Sequence, residues 1–581
     1  MRQVREYHSE VVSRVPRLQL GFVATLLIIG AAYWVVQVAH GEAYRELAVN
    51  NSLRKRVIKA PRGLIYDSAS RPLVENVASY NLILHPSRSR ELAESRAFAE
   101  SILGPIAPAA EAWWDRSPAL RMVAEDLTLE EVAQFEARSL EYPEFEIEVG
   151  HVRLYRHGSQ TAHLVGYLSE ASDKRIAESG GELAAGDLVG VVGLEAAFDA
   201  RLRGSKGENR VVVDHRGRVK RVQSRLAAIP GEELPLELDL DIQQAVARAL
   251  EDRVGAVVAM DPRTGGIRSM VSSPSYDPNV FTRRLASEQW EAIVKAPHDP
   301  LQNRTIQNVY SPGSVFKIVV ALAGLTEHEI TPETSVYCNG AASFYNHRFR
   351  CWKRGGHGRV QLREAIRSSC DIYFYSLGQR LGIERIARYS RLLGLGTPTG
   401  VEIGAEKAGL VPDEEWSRRV RGTPWYPGET ISVSIGQGPL LVTALQMARM
   451  MAVVANGGYL VTPHLAVAEP TRVPLGLDPG HLAVIHDALR AVVAEGTGRA
   501  AAVPGVEVAG KTATVQVVEQ VSWIDSDDLP YERRDHAWFA SFAPVQNPEL
   551  VVIAFAEHGG HGSTAAAPLA KLVYEVYFES R

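Results

Sequence analysis

The run Ser311-Pro312-Gly313-Ser314-Val315-Phe316-Lys317 decides how the rest of the chain is read. Pro312 and Gly313 suit the start of a helix, which places Ser314 at its N-terminus. Lys317, three residues on, shares the face of Ser314. A hydroxyl is a weak nucleophile without a neighbouring base. A lysine amine serves as that base where burial or a second cation favours its neutral form. Taken alone, the four residues from Ser314 to Lys317 read as an ordinary surface serine and lysine. Two later elements change this, Ser369-Cys370-Asp371 and Lys511-Thr512-Ala513-Thr514, which follow in that order. Ser369 suits a proton relay, although a serine here also reads as a helix cap, a role open to Ser368 as well. Asp371 accepts hydrogen bonds but, unlike an amide, cannot donate to a carbonyl. Lys511 and Thr512 on a predicted strand offer a cation and a hydroxyl to an extended peptide ending in a carboxylate. The backbone N–H groups of Ser314 and Thr514 suit an oxyanion hole. The methyl of Ala513 is expected to crowd an incoming substrate without having to block it.

The chain has 581 residues, is 46% hydrophobic and 23% charged, and carries a net charge of -5. That length supports two to four domains. No basic excess points to nucleic acid, and there is no Walker A pattern, no persuasive G-x-G-x-x-G and no H-E-x-x-H. Leu20 to Ala39 is uncharged and apolar; about 20 helical residues span roughly 30 Å, the hydrocarbon thickness of a bilayer. Arg2, Arg5, Arg14 and Arg17 precede it, so the N-terminus is expected in the cytoplasm and the remainder outside. A cleaved signal peptide ending near Ala39-His40-Gly41 is the competing reading. The stretch is long for an h-region of about 7–15 residues, which favours an anchor.

Glu42 to Arg56 reads as a charged stalk containing Asn50-Asn51. Glu91 to Leu140 is rich in Ala, Glu and Arg with helical periodicity, and Phe145 to Leu154 alternates as a strand. Arg210 to Val222 reads as a hairpin turning at Arg216-Gly217, and Pro230-Gly231 marks a boundary. Beyond it come a helix near Ile242 to Leu250 and strands at Gly255–Met260 and Ile267–Val271. Late strands are expected at 508–517, 537–543 and 550–557, with a closing helix from Ala566 to Phe578. Strands at both ends with helices between them predict one domain whose ends share a sheet.

Cys338, Cys351 and Cys370 are the only cysteines, and His357 lies among them. Three thiolates and one imidazole complete a tetrahedral zinc set. A Cys338–Cys351 disulfide with Cys370 buried, or three free thiols, are the alternatives, and His347 is a spare ligand. Zinc held there is expected to pin the Cys338–His357 loop to the Ser369 segment.

The three catalytic elements resemble the S-x-x-K, S-x-N, K-T-G series of penicillin-reactive serine acyltransferases. Nearly the whole chain is similar to class B penicillin-binding proteins. Arg62-Gly63 to Asp67, His163-Leu164-Val165-Gly166-Tyr167 and Gly193-Leu194-Glu195 resemble their non-catalytic motifs. Leu238-Asp239-Leu240-Asp241-Ile242-Gln243, Ser434-Ile435-Gly436-Gln437-Gly438, Ala455-Asn456-Gly457-Gly458 and His536-Ala537-Trp538-Phe539 resemble landmarks of their catalytic domain. Ser-x-Asp in place of Ser-x-Asn resembles the elongation-type branch, penicillin-binding protein 2. Some members of that branch carry a metal near the active site.

The resemblance implies a multidomain α+β / α/β protein: cytoplasmic tail 1–18, transmembrane anchor 19–39, pedestal (dimerisation-like) domain 40–233, and transpeptidase domain 234–581. The last has a serine β-lactamase-like fold, a central antiparallel sheet with helices on both faces. It implies a D,D-transpeptidase of the inner membrane with a periplasmic catalytic domain, acting in cell-wall elongation and inhibited by β-lactams. Ser314, Lys317, Ser369, Asp371 and Lys511 would be catalytic, and Thr512, Ala513 and Thr514 would bind substrate. No cofactor is needed for acyl transfer. Peptidoglycan stem peptides ending in D-Ala-D-Ala are the implied substrate, with a RodA-type glycosyltransferase and MreC as partners. A division-type transpeptidase, or a weakly catalytic scaffold activating a glycosyltransferase, are the alternative functions. A membrane-anchored β-lactamase or β-lactam sensor would share Ser314 and Lys317, but the long pedestal argues against it.

Overall fold

A computed structural model describes the chain except for residues 1, 43, 46–52, 107–113, 115–120, 214–218, 283–284, 286, 518–525 and 580–581. Asn50-Asn51 and the turn expected at Arg216-Gly217 lie outside the described residues. The N-terminal helix runs from Arg2 to Trp34 and continues as a wider turn through Ala39. Its apolar part, Val15–Ala39, is long enough to cross a bilayer and is the only such helix among the described residues.

The chain divides into two compact units. The first contains residues 1–61, 78–150 and 204–230. Here Leu53–Ile58, Gly207–Val213 and Val219–Leu226 form an antiparallel sheet. Phe98 stacks on Tyr142 at 4.0 Å and meets Phe135 edge-on at 5.4 Å, which centres a small aromatic core. The helical reading of 91–140 holds for two segments and is corrected between them. Helices Leu92–Leu103 and Leu129–Ala137 are separated by a strand, Arg121–Ala124, which pairs with Leu82–Leu84. The second helix starts at Thr128, whose hydroxyl accepts from Glu131 N while the Glu131 carboxylate accepts from Thr128 N. This reciprocal cap stops a helix from extending backwards into the strand.

The second unit contains residues 62–77, 151–203 and 231–581. Near its start, the Glu195 carboxylate is fully buried between Arg62 at 2.6 Å and Arg153 at 2.7 Å. Two of the separate motifs read from the sequence thus close into one buried ion network.

The catalytic sheet has five strands: β1 Gly255–Met260, β2 Ile267–Ser273, β3 Ala509–Val515, β4 His536–Ala543 and β5 Leu550–Ala556. Their spatial order is β2-β1-β5-β4-β3, and every pairing is antiparallel. The early and late strands are therefore neighbours, and β3 lies at one edge. The run Leu550-Val-Val-Ile-Ala-Phe-Ala556 is apolar at every position because both faces are covered. Val551, Ile553 and Phe555 enter one core, and Leu550, Val552 and Ala554 enter the other.

Helix α1, Leu240–Ala249, begins two residues earlier than the apolar pattern indicates, because the Asp239 carboxylate caps the N–H groups of Asp241 and Ile242. It packs with the C-terminal helix Ala567–Glu579 in the second core. In the first core, helix α2, Lys317–Thr326, is buried from Lys317 to Leu325 and packs on α3, Asp371–Leu392.

Candidate active site

The Ser314 turn is built by its neighbours. Tyr310 exchanges backbone hydrogen bonds with Val442, and Gly313 N donates to Gly436 O at 3.0 Å. Gly313 has φ +54, and a Cβ there would lie 2.8 Å from Val515 Cγ2. Gly436 has φ +76, and a Cβ there would lie 2.1 Å from Gly313 O. Both positions need glycine, for conformation and for space. Gly313–Phe316 forms a tight 3₁₀ turn that feeds α2, so Ser314 is half-buried at the N-terminal end and Lys317 opens the helix proper.

Lys317 is fully buried. Its Nζ donates to Asp371 Oδ1 at 2.7 Å, Ser369 O at 3.0 Å and Ser369 Oγ at 3.2 Å. An ammonium has three donors, and all three are used. The cation also lies over the Phe374 ring, 5.5 Å from its centre. Ser369 has φ +56, a left-handed conformation costing a non-glycine residue about 1–2 kcal/mol. Ser368 closes the preceding helix, Leu362–Arg367, and its hydroxyl donates to Glu364 O. Cys370 occupies the N-cap position of α3 without a side-chain cap bond, so neither serine caps that helix.

Lys511 lies on edge strand β3 opposite Ala540 and is fully buried, with Nζ donating to Thr512 O at 3.0 Å. Burial pulls its pKa well below the ordinary value of 10.5; the Lys317 charge adds to this and Asp371 opposes it. Thr512 Oγ1 is 2.6 Å from Thr497 Oγ1, and Thr514 Oγ1 accepts from Gly562 N at 3.5 Å. Ala513 Cβ would be 3.1 Å from a Cβ on Gly313, and Ala513 is 3% exposed. Its methyl therefore fills space under the Ser314 turn, and does not stand on an open strand edge in the way of substrate.

Lys511→Met is expected to raise the unfolding midpoint of the unliganded protein while removing acylation by carboxylate-bearing β-lactams. The unfolded chain keeps this proton to about pH 10.5, and the folded chain releases it earlier. The charge therefore opposes folding at neutral pH, and stability rises as pH climbs towards 10.5. A thermal melt across that range, run beside the variant, measures both effects; an unchanged or lower midpoint in the variant would refute the account.

Cys338, Cys351, His357 and Cys370 converge, with their donor atoms all within 4.8 Å of one another. They come from the end of strand Val336–Cys338, the residue after strand His347–Arg350, the turn before strand Gly358–Val360, and the cap of α3. All three cysteines are free thiols. His357 Nδ1 lies 3.7 Å from Cys338 Sγ and 3.6 Å from Cys351 Sγ. A tetrahedral zinc with Zn–S near 2.3 Å and Zn–N near 2.0 Å requires donor separations of about 3.5–3.8 Å. The donor set and spacing therefore fit zinc. The Cys351 thiol is pushed towards thiolate by its hydrogen bond with Cys370, which is pushed the other way. His347 is exposed, packs its ring on Phe349 and is not in the group.

Two residues were not singled out in the sequence. Thr497, in Glu495-Gly-Thr-Gly498, meets Thr512. Trp352, next to Cys351, donates from its backbone N–H to Asp371 Oδ2 at 2.9 Å. A threonine between two glycines was a readable signal for the first; nothing local marked the second.

A family model described as "Penicillin binding protein transpeptidase domain" matches residues 255–575, and one described as "Penicillin-binding Protein dimerisation domain" matches residues 57–236. The chain is 33% identical to the peptidoglycan D,D-transpeptidase MrdA of Haemophilus influenzae, over 97% of this chain and 92% of the relative. It is 30% identical to the MrdA of Escherichia coli K12, over 96% and 93%. Among solved structures, the complex between PBP2 and MreC from Helicobacter pylori aligns with a TM-score of 0.83 at 26% identity, covering 91% of this chain and 99% of the other. A peptidoglycan synthase complex, solved for the coordination of polymerization and crosslinking, aligns with a TM-score of 0.75 at 31% identity, covering 98% and 99%.

Proposed function

Since the chain belongs to the penicillin-binding proteins, a family of transpeptidases, we propose that it is the elongation-type D,D-transpeptidase of peptidoglycan and that Ser314 is its nucleophile. The observation that carries this reading is the buried Lys317, one helical turn after Ser314, bonded to both Ser369 and Asp371. Residues 1–18 are read as the cytoplasmic tail, 19–39 as the anchor, 40–233 as the pedestal and 234–581 as the catalytic domain in the periplasm.

The Ser314 hydroxyl attacks the penultimate D-Ala carbonyl of a stem pentapeptide, and its proton passes to Lys317, which accepts it in the neutral amine form and thereby becomes the ammonium. The Ser314 and Thr514 backbone N–H groups hold the oxyanion. Lys511 and Thr512 hold the terminal carboxylate, whose charge favours the protonated form of Lys511. As the tetrahedral species collapses, the C–N bond breaks, and Ser369 relays a proton from Lys317 to the departing D-Ala amine. An amine of a second stem peptide then attacks the ester carbonyl, the C–O bond to Ser314 breaks, the proton lost by the amine passes along the same relay to Ser314 Oγ, and the new amide is the cross-link. Asp371 keeps Lys317 aimed at this relay. When bound, zinc supplies a fixed structural node that ties Cys370 to the 338–357 loop and takes no part in acyl transfer. The similarity to a PBP2–MreC complex and to a peptidoglycan synthase complex supports MreC and a RodA-type glycosyltransferase as partners.

Incubation of the protein with a labelled penicillin, followed by intact mass measurement, tests the assignment. A long-lived adduct is expected on the wild type and none on Ser314→Ala. Rapid turnover of free penicillin would identify a hydrolase instead, and untouched penicillin would point to a scaffold or to a site that is closed without its partner.

A further inference from the structure

We infer that Trp352 is a positioning residue of the acyl-transfer site, holding Ser369 and Asp371 in register through two separate N–H groups; this rests on the reading of Ser369 as the proton relay. The indole Nε1–H donates to Ser368 O at 3.1 Å and to Ser369 O at 3.2 Å. The backbone N–H of the same residue donates to Asp371 Oδ2 at 2.9 Å. One residue thus touches both ends of the Ser369-x-Asp371 segment from outside.

The Ser369 carbonyl has two lone pairs. Lys317 Nζ takes one contact and Trp352 Nε1 the other. Asp371 is divided in the same way, with Oδ1 on Lys317 and Oδ2 on Trp352 N. Lys317 and Trp352 therefore hold the same two groups. Ser369 needs such a grip, because its φ of +56 is unfavourable for a serine and persists only when its surroundings over-determine it. Its own N–H bond, to Ile366 O, is long at 3.2 Å. With the indole bond absent, the peptide is free to relax and carry Ser369 Oγ away from Lys317.

The exposure of the ring agrees with this role. Trp352 is 56% exposed, so burial of the indole is not what holds it there. Its placement comes from the preceding Cys351 and from its ring contact with His357, 5.5 Å between centres. Of the aromatic side chains, tryptophan offers an N–H donor at this reach; phenylalanine keeps a ring and has no donor.

The test uses the full chain in detergent with two replacements at position 352, Trp352→Phe and the isosteric benzothienylalanine, which keeps the indole shape without the N–H. Acylation of Ser314 by a labelled penicillin is followed over a range of concentrations. Hydrogen exchange of the 366–371 backbone is followed in parallel without penicillin. Both variants are expected to lose about 10-fold or more in maximal acylation rate, the size of a mispositioned proton relay. The half-saturating concentration, metal content and unfolding midpoint should stay near wild type, and exchange at 366–371 should accelerate. Wild-type rates and wild-type exchange in the benzothienylalanine protein would overturn the proposal, whatever Phe does, because only the N–H is missing. If the wild type forms no Ser314 adduct, the reading of the reaction has failed, and the exchange measurement alone decides whether Trp352 holds the segment.

Discussion

Lys317→Met is expected to lower the acylation rate of Ser314 by about 10³-fold, the usual scale for loss of a positioned acid–base group. It should also destabilise the catalytic unit by about 3–5 kcal/mol, because it leaves Asp371 buried without its cation. The Asp371 side chain is only 11% exposed, and among the described residues its other partner is the backbone N–H of Trp352. The two effects have different causes, and a second substitution separates them. In Lys317→Met/Asp371→Asn no charge is stranded, so most of the stability should return. Activity should not, since no base remains. Asp371→Asn alone retains the amine and should acylate far faster than either protein lacking Lys317. The measurements are the second-order rate with a labelled penicillin and the thermal midpoint of all four proteins. A double variant as unstable as Lys317→Met would mean that the ion pair is not what the site loses. A Lys317→Met protein acylating at the wild-type rate would remove Lys317 from the mechanism.

Protein isolated without chelator is expected to contain about one zinc per chain, held by Cys338, Cys351, His357 and Cys370. Cys338→Ser is the sharper way to remove it, because Cys338 ends strand Val336–Cys338, apart from the Ser369 segment. Loss of a ligand should release the metal, lower the midpoint and slow acylation together, since a structural zinc site contributes directly to folding. The reason is geometric. The four ligands hold a loop that contains Trp352 and a helix cap that follows Ser369, so loosening the cluster loosens the relay. Metal content and intact mass decide the matter. A wild type free of metal and two hydrogens lighter would indicate a Cys338–Cys351 disulfide. Full acylation by a metal-free, fully reduced chain would show that the cluster does not support the site.

Much of this protein is legible residue by residue. Ser314 and Lys317 are three apart at the head of an apolar helix, and that spacing sets one face whatever the rest of the chain does. Leu550 to Ala556 is apolar at every position, which announces a strand covered on both sides, and Leu20 to Ala39 announces its own length. These features depend on periods of 2 and 3.6 residues and on composition, so they are local. The helical reading of 91–140 failed where locality failed: Arg121–Ala124 is a strand because Leu82–Leu84 is available to pair with it.

The sequence by itself determined the order of the catalytic elements, a sheet shared by the two ends of the catalytic domain, the apolar N-terminal helix and the identity of the four metal donors. Tertiary structure alone decided that those donors meet within 4.8 Å, that the Ala513 methyl lies under Gly313, that Ser369 is held at positive φ, and that Trp352 spans Ser369 and Asp371. Each of these depends on chain closure between segments separated in sequence. A side chain's type shows what it is able to bond, while the partner it meets is set by the packing of distant segments around a common core.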